Sequence, residues 1–489
     1  MNMIKGRFRA AVLMGAAASL LVFAAGAKAQ NENSDGNGNP KSDDNTWPYA
    51  PAGKSPVLAV VGDIACQPGT EAVDEALTEV CTDAPAPYAS TSLWQSQEAT
   101  ANQIENMKPD AVALLGDLQY EVGRYSDFEQ SFDLTYGAFK FLHRPAPGNH
   151  EFYSEHSETG VGGYGYFSYY NGFLINTEGM PLTTEISDPC INPTNPAPST
   201  NVPSVSCKVG KTPTVDLSSN PIPRPDGQAG HFEESGGPET VIAPLGGPVG
   251  VGDGWYSYNM GSWHLISLNI ECYSQPGGCS ETGPWFAAET EWLKNDLAAN
   301  HSACTLAYWH QPTYSATDGL TQEGIAAGAW WQLLYDAGAD LVLNGHDHLY
   351  ARYAPIKPSF VAADTSVTGV TGTWLGTPDP NKGVREFIVG TGGETLDPVV
   401  SAPTSATDWD GIFNQKNLEA YTGDYWGVMA LTLDHDGYKW DYESALAGPT
   451  GLVAANGPTV PPAANGGYSD TGSAKCHGGP FGDNGRGNN

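Results

Sequence analysis

The chain has 489 residues, 22 basic and 55 acidic, with a formal net charge of −33. That length suits one large domain with insertions or two ordinary ones. So negative a surface repels nucleic-acid polymers and anionic membranes, so no nucleic-acid partner is expected, and any bound anion must be attracted locally, by metal.

Taken in order, Lys5, Arg7 and Arg9 precede an apolar stretch from Ala10 to Ala25 and then Gly26-Ala27-Lys28-Ala29. This is the pattern of a secretory signal peptide over residues 1–29 with a small-x-small cleavage site. Gly15 and Ser19 interrupt the stretch, which argues for removal rather than retention as an anchor. No other segment approaches the roughly 20 apolar residues of a spanning helix. A secreted or periplasmic protein with no membrane anchor after cleavage is therefore expected, and its eight cysteines read as disulfides rather than soft metal ligands. Short loops favour Cys66 with Cys81, Cys190 with Cys207 and Cys272 with Cys279, leaving Cys304 for Cys476. Sequence alone permits roughly a hundred pairings.

Residues 30–55 are rich in Asn, Asp, Gly and Pro and form a flexible polar leader. The fold begins at Val57-Leu58-Ala59-Val60-Val61, a buried-strand run that stops at Gly62-Asp63. Thr91 to Met107 carries Trp94, Ile104 and Met107 among polar residues and stops before Pro109, which predicts a surface helix. A second apolar run, Ala111 to Leu115, stops at Gly116-Asp117-Leu118-Gln119-Tyr120. The resulting strand-helix-strand unit predicts an α/β sheet. Gly148-Asn149-His150-Glu151 follows after a Pro-rich approach.

Thirteen of the 37 prolines then fall between Met180 and Val249. Residues 172–254 read as a long Pro/Gly-rich insertion pinned by Cys190 and Cys207, either functional or disordered. Strands resume at Trp255 to Tyr258 and Trp263 to Asn269, and a helix is expected over Trp285 to Ala299. Cys304 to Trp309 leads to His310, Ile325 to Ala337 is an amphipathic helix closed by Gly338, and Leu341-Val342-Leu343 leads to Gly345-His346-Asp347-His348. Arg385 to Val389 is one more strand, and Val428 to Leu433 with Tyr438 to Tyr442 form a hairpin around Asp436-Gly437. Residues 56–447 are assigned to one catalytic domain and 448–489 to a Gly-, Pro- and Asn-rich tail, loose and tethered at Cys476.

Five polar clusters thus end strand-like runs, where open α/β sheets place their sites. Their residue types are hard and borderline metal ligands. One carboxylate can be shared by two cations about 3.5–4 Å apart, an arrangement suited to in-line displacement. Asp117 is the natural bridge, with Asp63 on one metal, Asn149 on the other, and His310, His346 and His348 completing the shells. His346 and His348 lie two apart and would point the same way on an extended strand, whereas a turn would aim them at two different metals. Each cluster alone is more often structural; it is the set, in this order, that points to a site. His150 is expected to protonate a leaving alkoxide or hold phosphate, and Asp347 to orient its neighbours. His143, His156, His231, His264, His301, His435 and His477 show no ligand spacing.

These five motifs together resemble the calcineurin-like metallophosphoesterases, and Tyr120, three residues after the bridging aspartate, resembles the purple acid phosphatase branch. The resemblance spans about Val57 to Glu443 without the insertion. It implies an α/β fold, a four-layer αββα sandwich with mixed sheets, and a phosphoester hydrolase acting on a small phosphoester through two metal ions. It implies Fe(III) at Asp63, Asp117, Tyr120 and His348, and Fe(II), Zn or Mn at Asp117, Asn149, His310 and His346. No separate β-sandwich domain is expected before the first strand. Two departures stand out: Ala65 occupies a position often Gly or His, and Gln311 with the stretch after Pro312 offers no histidines where purple acid phosphatases often bind substrate. The leading expectation is a secreted acid phosphatase-like phosphomonoesterase. The alternatives are a phosphodiesterase or nucleotidase on the same metals, or a non-catalytic secreted binding protein. Oligomeric state is not legible.

Overall fold

A computed structural model describes residues 54–68, 81, 93–153, 162–171, 174–175, 181–182, 254–275, 277–300, 302–315, 317, 321–362, 372–397, 417–447 and 467–477. The leader, most of the insertion with its Cys190 and Cys207, and much of the tail lie outside the described residues.

In chain order the strands are β1 (Val57–Val61), β2 (Ala111–Leu115), β3 (His143–Ala146), β4 (Leu174–Ile175), β5 (Pro181–Leu182), β6 (Tyr256–Met260), β7 (Trp263–Ser267), β8 (Cys304–Tyr308), β9 (Leu341–Asn344), β10 (Tyr350–Tyr353), β11 (Ile356–Ala362), β12 (Gly372–Pro378), β13 (Arg385–Val389), β14 (Leu418–Thr422), β15 (Tyr425–Asp434), β16 (Gly437–Ala447) and β17 (Ser469–Lys475). The helices are α1 (Leu93–Met107), the short turns α2 (Tyr125–Asp127) and α3 (Asp133–Thr135), α4 (Tyr164–Asn171), α5 (Pro284–Ala299) and α6 (Gln322–Ala337). Helix α6 starts three residues before the expected Ile325, because the Thr321 side chain accepts the Gly324 N–H and caps the first turn. It ends as expected, at Gly338 in the left-handed conformation.

Two sheets carry the fold. One has the order β17-β16-β15-β1-β2-β3, the other β14-β10-β13-β9-β8-β7-β6, and both mix parallel and antiparallel pairs. The alternation of side chains along each strand builds the layers. Leu58 and Val60 of β1 and Ala113 and Leu115 of β2 join Leu265, Leu306, Leu343 and Phe387 of the other sheet in one buried core. Their neighbours Ala59, Val61, Val112 and Leu114 pack outward on Ala101 and Ile104 of α1, with Phe128, Phe132 and α4 residues. On the far side, Ile266, Ala307, Val342 and Ile388 meet Trp285 and Leu293 of α5 and Trp330 and Leu334 of α6. The result is helix, sheet, sheet, helix, the expected αββα sandwich. It explains why β2 and β8 read as continuous apolar runs: both faces are covered.

Several strands are absent from the sequence reading. The Pro-rich approach to Asn149 is strand β3, parallel to β2 through Val112–His143 to Leu115–Ala146. The supposedly loose tail contains β17, antiparallel to β16 along its length. Its sequence, Ser-Asp-Thr-Gly-Ser-Ala-Lys, gives no apolar alternation because an edge strand with no buried side chain needs none.

Three of the expected disulfides, Cys66–Cys81, Cys272–Cys279 and Cys304–Cys476, are formed. The last joins the end of β17, at the edge of one sheet, to the start of β8 in the other, across 172 residues of chain. A Cys304→Ser/Cys476→Ser variant should therefore lose about 3 kcal/mol in denaturant unfolding. The cut tether should also raise amide exchange across 469–475 before it does so in β1; equal protection in wild type and variant would show that β17 is held by its ladder alone.

Candidate metal centre

The five polar clusters all emerge at the carboxyl ends of parallel strands, three in one sheet (β1, β2, β3) and two in the other (β8, β9). Among the described residues, four non-glycine residues have positive φ, and three are Asp63 (φ 60), Asp117 (φ 47) and His346 (φ 70). Left-handed backbone costs an ordinary residue roughly 1–2 kcal/mol, so each turn must be held by its surroundings. Asp63 N–H donates to the Gly116 carbonyl at 3.1 Å, and Ile64 N–H to the Asp117 carbonyl at 2.9 Å. The His346 N–H donates to both Asp63 oxygens, at 3.1 and 3.0 Å.

Glu151 holds the Asp117 turn. Its buried carboxylate accepts four backbone N–H groups, from Asp117 (3.0 Å), Leu118 (2.8 Å), Gln119 (3.2 Å) and Gly148 (2.7 Å). One side chain thus fastens the loop after β2 to the loop after β3. The approach is so close that a Cβ on Gly148 would collide with Asp117 Oδ1. The motif Gly148-Asn149-His150-Glu151 by itself signals no such role for Glu151.

Around Asp117 the donors fall into two groups. On one side, the Tyr120 hydroxyl lies 3.1 Å from Asp63 Oδ1, 3.2 Å from Asp117 Oδ2 and 3.0 Å from His348 Nε2. On the other, His310 Nε2 lies 2.9 Å from Asp117 Oδ2, and the rings of His310 and His346 are 5.1 Å apart, edge to face. Asp117, His310 and His346 each offer a ligand atom within 4.8 Å of the others. The turn through His346 therefore sends the two histidines of His346-Asp347-His348 to different sides of Asp117. Asn149 joins the rim differently: its Nδ2 donates to the Tyr153 hydroxyl at 2.8 Å, and its Oδ1 accepts from Gln311 Nε2 at 3.3 Å.

Backbone carbonyls decide which ring nitrogen faces inward. His310 Nδ1 meets Leu115 O at 2.8 Å, His348 Nδ1 meets Thr395 O at 2.6 Å, and His150 Nδ1 meets Glu121 O at 2.6 Å. A carbonyl only accepts, so each Nδ1 carries the proton and each Nε2 is left to face the site. Asp397 also accepts the His348 N–H at 3.0 Å. Thr395 and Asp397, on the loop after Gly390-Thr391-Gly392-Gly393, therefore orient His348. Asp347, expected to orient its neighbours, takes the hydroxyls of Ser315 (2.7 Å) and Thr317 (3.0 Å).

The donor set fits a cation. His310 Nε2 is buried without a hydrogen bond of proper geometry although Asp117 Oδ2 is 2.9 Å away. With neither a proton nor a cation between them, two lone pairs would face each other there. Likewise one Tyr120 hydroxyl proton cannot serve three acceptors at once. Without a metal, protons must compensate. Burial would lower the His310 pKa, but Asp117 overrides it and raises it to about 10. Burial raises and His310, then His150, lowers the Asp117 carboxyl, which ends below the usual range. Burial likewise works against a charged His348, yet Asp63 and Asp397 raise it well above 6.5. Burial and then His310 push His346 down to about 3, leaving it neutral.

The other described histidines are structural. His143 is buried against the Tyr170 hydroxyl (3.1 Å), its pKa held well down by burial and then by Lys140 and Arg144. His264 pairs with Asp296 at 2.6 Å, His477 with Asp340 at 3.2 Å, and His435 gives its carbonyl to Ser262. His156, His231 and His301 lie outside the described residues. The cluster of Cys304, Asp340 and Cys476 has its sulfurs in a disulfide and is no ligand set.

Removing Glu151 should be costly whatever binds nearby. Glu151→Ala strands several buried N–H groups, each worth about 1–3 kcal/mol, so metal-free protein should lose at least about 3 kcal/mol in thermal unfolding. Glu151→Gln, which keeps one acceptor oxygen, should fall between; wild-type stability in the Ala variant would deny the brace.

The calcineurin-like phosphoesterase family model matches residues 56–350. An uncharacterized protein of Mycobacterium tuberculosis is 27% identical over 176 residues, 35% of this chain and 31% of its own length. Purple acid phosphatase 15 of Arabidopsis thaliana is 33% identical over 125 residues, 25% of this chain and 19% of its own length. The chain thus spans a third or less of these curated relatives. Among solved structures, a purple acid phosphatase from yellow lupin (Lupinus luteus) seeds aligns over 82% of this chain and 53% of its own at 16% identity and a TM-score of 0.42. GAP50, the anchor in the inner membrane complex of Plasmodium, aligns over 80% and 85% at 12% identity and a TM-score of 0.40. With its family model matched over more than half of its length and its motifs at the ends of the sandwich strands, the chain belongs to the calcineurin-like phosphoesterase family.

Proposed function

We propose that the chain is an exported phosphoester hydrolase with a dinuclear metal centre, an acid phosphatase-like phosphomonoesterase on small phosphoesters. On this reading residues 1–29 are removed on export, 30–55 form a polar leader, 56–447 form the catalytic domain and 448–489 the tail. The observation that carries it is the meeting of two donor groups at one carboxylate oxygen, Asp117 Oδ2, with His310 Nε2 on one side and the Tyr120 hydroxyl on the other.

Asp63, Asp117, Tyr120 and His348 would hold Fe(III), since two carboxylates and a phenol are hard anionic ligands. Asp117, Asn149, His310 and His346 would hold Fe(II), Zn or Mn. When bound, such a pair supplies neutralisation of the phosphate charge and a nucleophilic water at ordinary pH. The protein's own part is orientation and proton handling. His150 keeps its Nδ1 on the Glu121 carbonyl and its Nε2 3.8 Å from Asp117 Oδ2, so it is through Nε2, when that nitrogen also carries a proton, that the ring can hand one to a leaving oxygen beside the bridge.

Metal analysis alongside hydrolysis of matched mono- and diesters tests the reading. Wild-type protein should carry two metals and favour the monoester. Asp117→Ala should lose both metals and turnover together; two metals per chain in that variant would remove the bridge. Oxidised wild-type protein should absorb in the visible, as the resemblance to purple acid phosphatases implies, and Tyr120→Phe should bleach that band while leaving the other site filled.

Metal uptake should also release protons. His310, raised to about 10, is protonated at neutral pH in metal-free protein. That proton stabilises the metal-free site below its pKa and competes with a cation. Apparent affinity for zinc should therefore rise between pH 6 and 8, by up to about tenfold per pH unit for each proton displaced. Calorimetry in two buffers of different ionisation enthalpy counts those protons, and a count of zero would contradict the ion pair.

A further inference from the structure

Strand β13 divides its side chains between two layers. Phe387 and Val389 enter the core between the sheets, while Val384, just before the strand, and Ile388 turn toward α5 and α6. Alternation puts Glu386 on that same helix-facing side, where it is wholly buried. Neither of its carboxylate oxygens has a hydrogen-bond partner among the described residues, and neither do the hydroxyls of Tyr314 and Tyr353 or the indole N–H of Trp331, three side chains that are also wholly buried. These groups are neighbours. Tyr353 follows Arg352, which pairs with Phe387, so it stands beside Glu386 on the sheet. Tyr314 packs edge to face against Trp331 of α6, ring centroids 4.9 Å apart. The residue after Tyr314 is Ser315, whose hydroxyl, with that of Thr317, donates to the buried carboxylate of Asp347. Burial and then the charge on Asp347 push the Glu386 carboxyl well up, against a nearby Tyr314 N–H that lowers it. Burial and then Glu386 raise both phenols in turn.

A core holds an unpaired carboxylate only at a large cost, and buried polar atoms in folded proteins are almost always partnered. Arg385 and Arg352, which flank Glu386 and Tyr353 in the sheet, do not help, because their guanidinium groups are paired with Glu419 and Asp470. Water would satisfy the hydroxyls and leave two negative charges in one pocket. A proton on Glu386 would remove one charge and leave the hydroxyls as they are. A cation answers both needs at once. The donors to it are all oxygen, since the Trp331 N–H has no lone pair to offer, and carboxylates with neutral oxygens select a hard ion. Among hard ions calcium accepts an irregular shell, whereas magnesium demands a near-ideal octahedron. We propose that Glu386, Tyr314 and Tyr353 form a calcium-binding site in the layer between the sheet and α6, with Asp347 supplying the second negative charge of the pocket. Asp347 lies between His346 and His348, so a cation there also steadies the turn that aims those two histidines. The site is separate from the Asp117 cluster and does not depend on the phosphatase reading.

The full chain is first saturated with iron and zinc and freed of excess metal, so that calcium is not counted at the Asp117 cluster. Equilibrium dialysis then measures calcium uptake, alongside thermal unfolding with and without calcium. Wild type should take up one further ion that an equal concentration of magnesium does not displace, and should unfold at a higher temperature when calcium is present. Glu386→Gln should lose at least about tenfold in calcium affinity, and with it the calcium-dependent rise. Tyr353→Phe, which keeps the ring and removes one oxygen, should weaken binding by a smaller factor, and it carries the test if Glu386→Gln does not fold. Terbium bound in place of calcium should emit when tryptophan is excited, because Trp331 is at the site, and Glu386→Gln should abolish that emission. Calcium bound equally by wild type and both variants would belong to the acidic surface and overturn the proposal. So would a wild type that binds none, or a Glu386→Gln variant more stable than wild type at saturating calcium.

Discussion

Everything at the strand ends depends on one carboxylate, Asp117, being held where solvent does not reach. A buried anion costs several kcal/mol unless it is paired, and Asp117 sits in a left-handed turn as well. The protein meets both demands with oriented donors. Glu151 clamps the turn through four N–H groups, and the His150 N–H reaches Asp117 Oδ1 at 2.9 Å, leaving Oδ2 for His310 and Tyr120. The two oxygens of one carboxylate are thereby given different work, one structural and one facing the site.

The same logic fixes one sheet against the other. His310 and His346 come from a different sheet than Asp63 and Asp117, so the site's dimensions depend on how the two sheets are seated. The hydroxyls of Tyr166 (3.1 Å), Tyr256 (3.0 Å) and Ser267 (3.2 Å) all donate to the Pro145 carbonyl, and Tyr308 donates to the carbonyl of Arg144 (3.1 Å). These carbonyls belong to edge strand β3, which leads to Asn149 and His150. Buried hydroxyls that would be costly unpaired are satisfied by the strand whose position matters most.

A chain with a net charge of −33 that is read as binding an anion must confine its attraction to one small place. The donors in the site are themselves acceptors or anions, and only cations among them reverse the sign locally. The long-range field still repels phosphate, and on this reading substrate capture relies on the site rather than on steering.

Through the family resemblance its motifs carry, the sequence implied the αββα layering and the place of Tyr120; by itself it determined the α/β class and which polar residues end the strands. Each of those is local: a buried run, a Gly-Asp stop, a histidine two residues from another. Asp63, Asp117, Asn149, His150, His310, His346 and His348 are legible in that way. What only the tertiary structure decided are the pairings across space: His348 with Tyr120 and Asp63, Glu151 under the Asp117 turn, Thr395 and Asp397 behind His348, and the Tyr153 and Gln311 hold on Asn149. Strand β17 belongs with them, since its pairing with β16 is made by backbone groups that every residue carries. The physical reason is common to all of these. A side chain's type is written in the sequence, but the carbonyl that selects its tautomer, or the turn that aims it, is supplied by residues as distant as the 228 positions between Tyr120 and His348, brought together only by the register of two packed sheets.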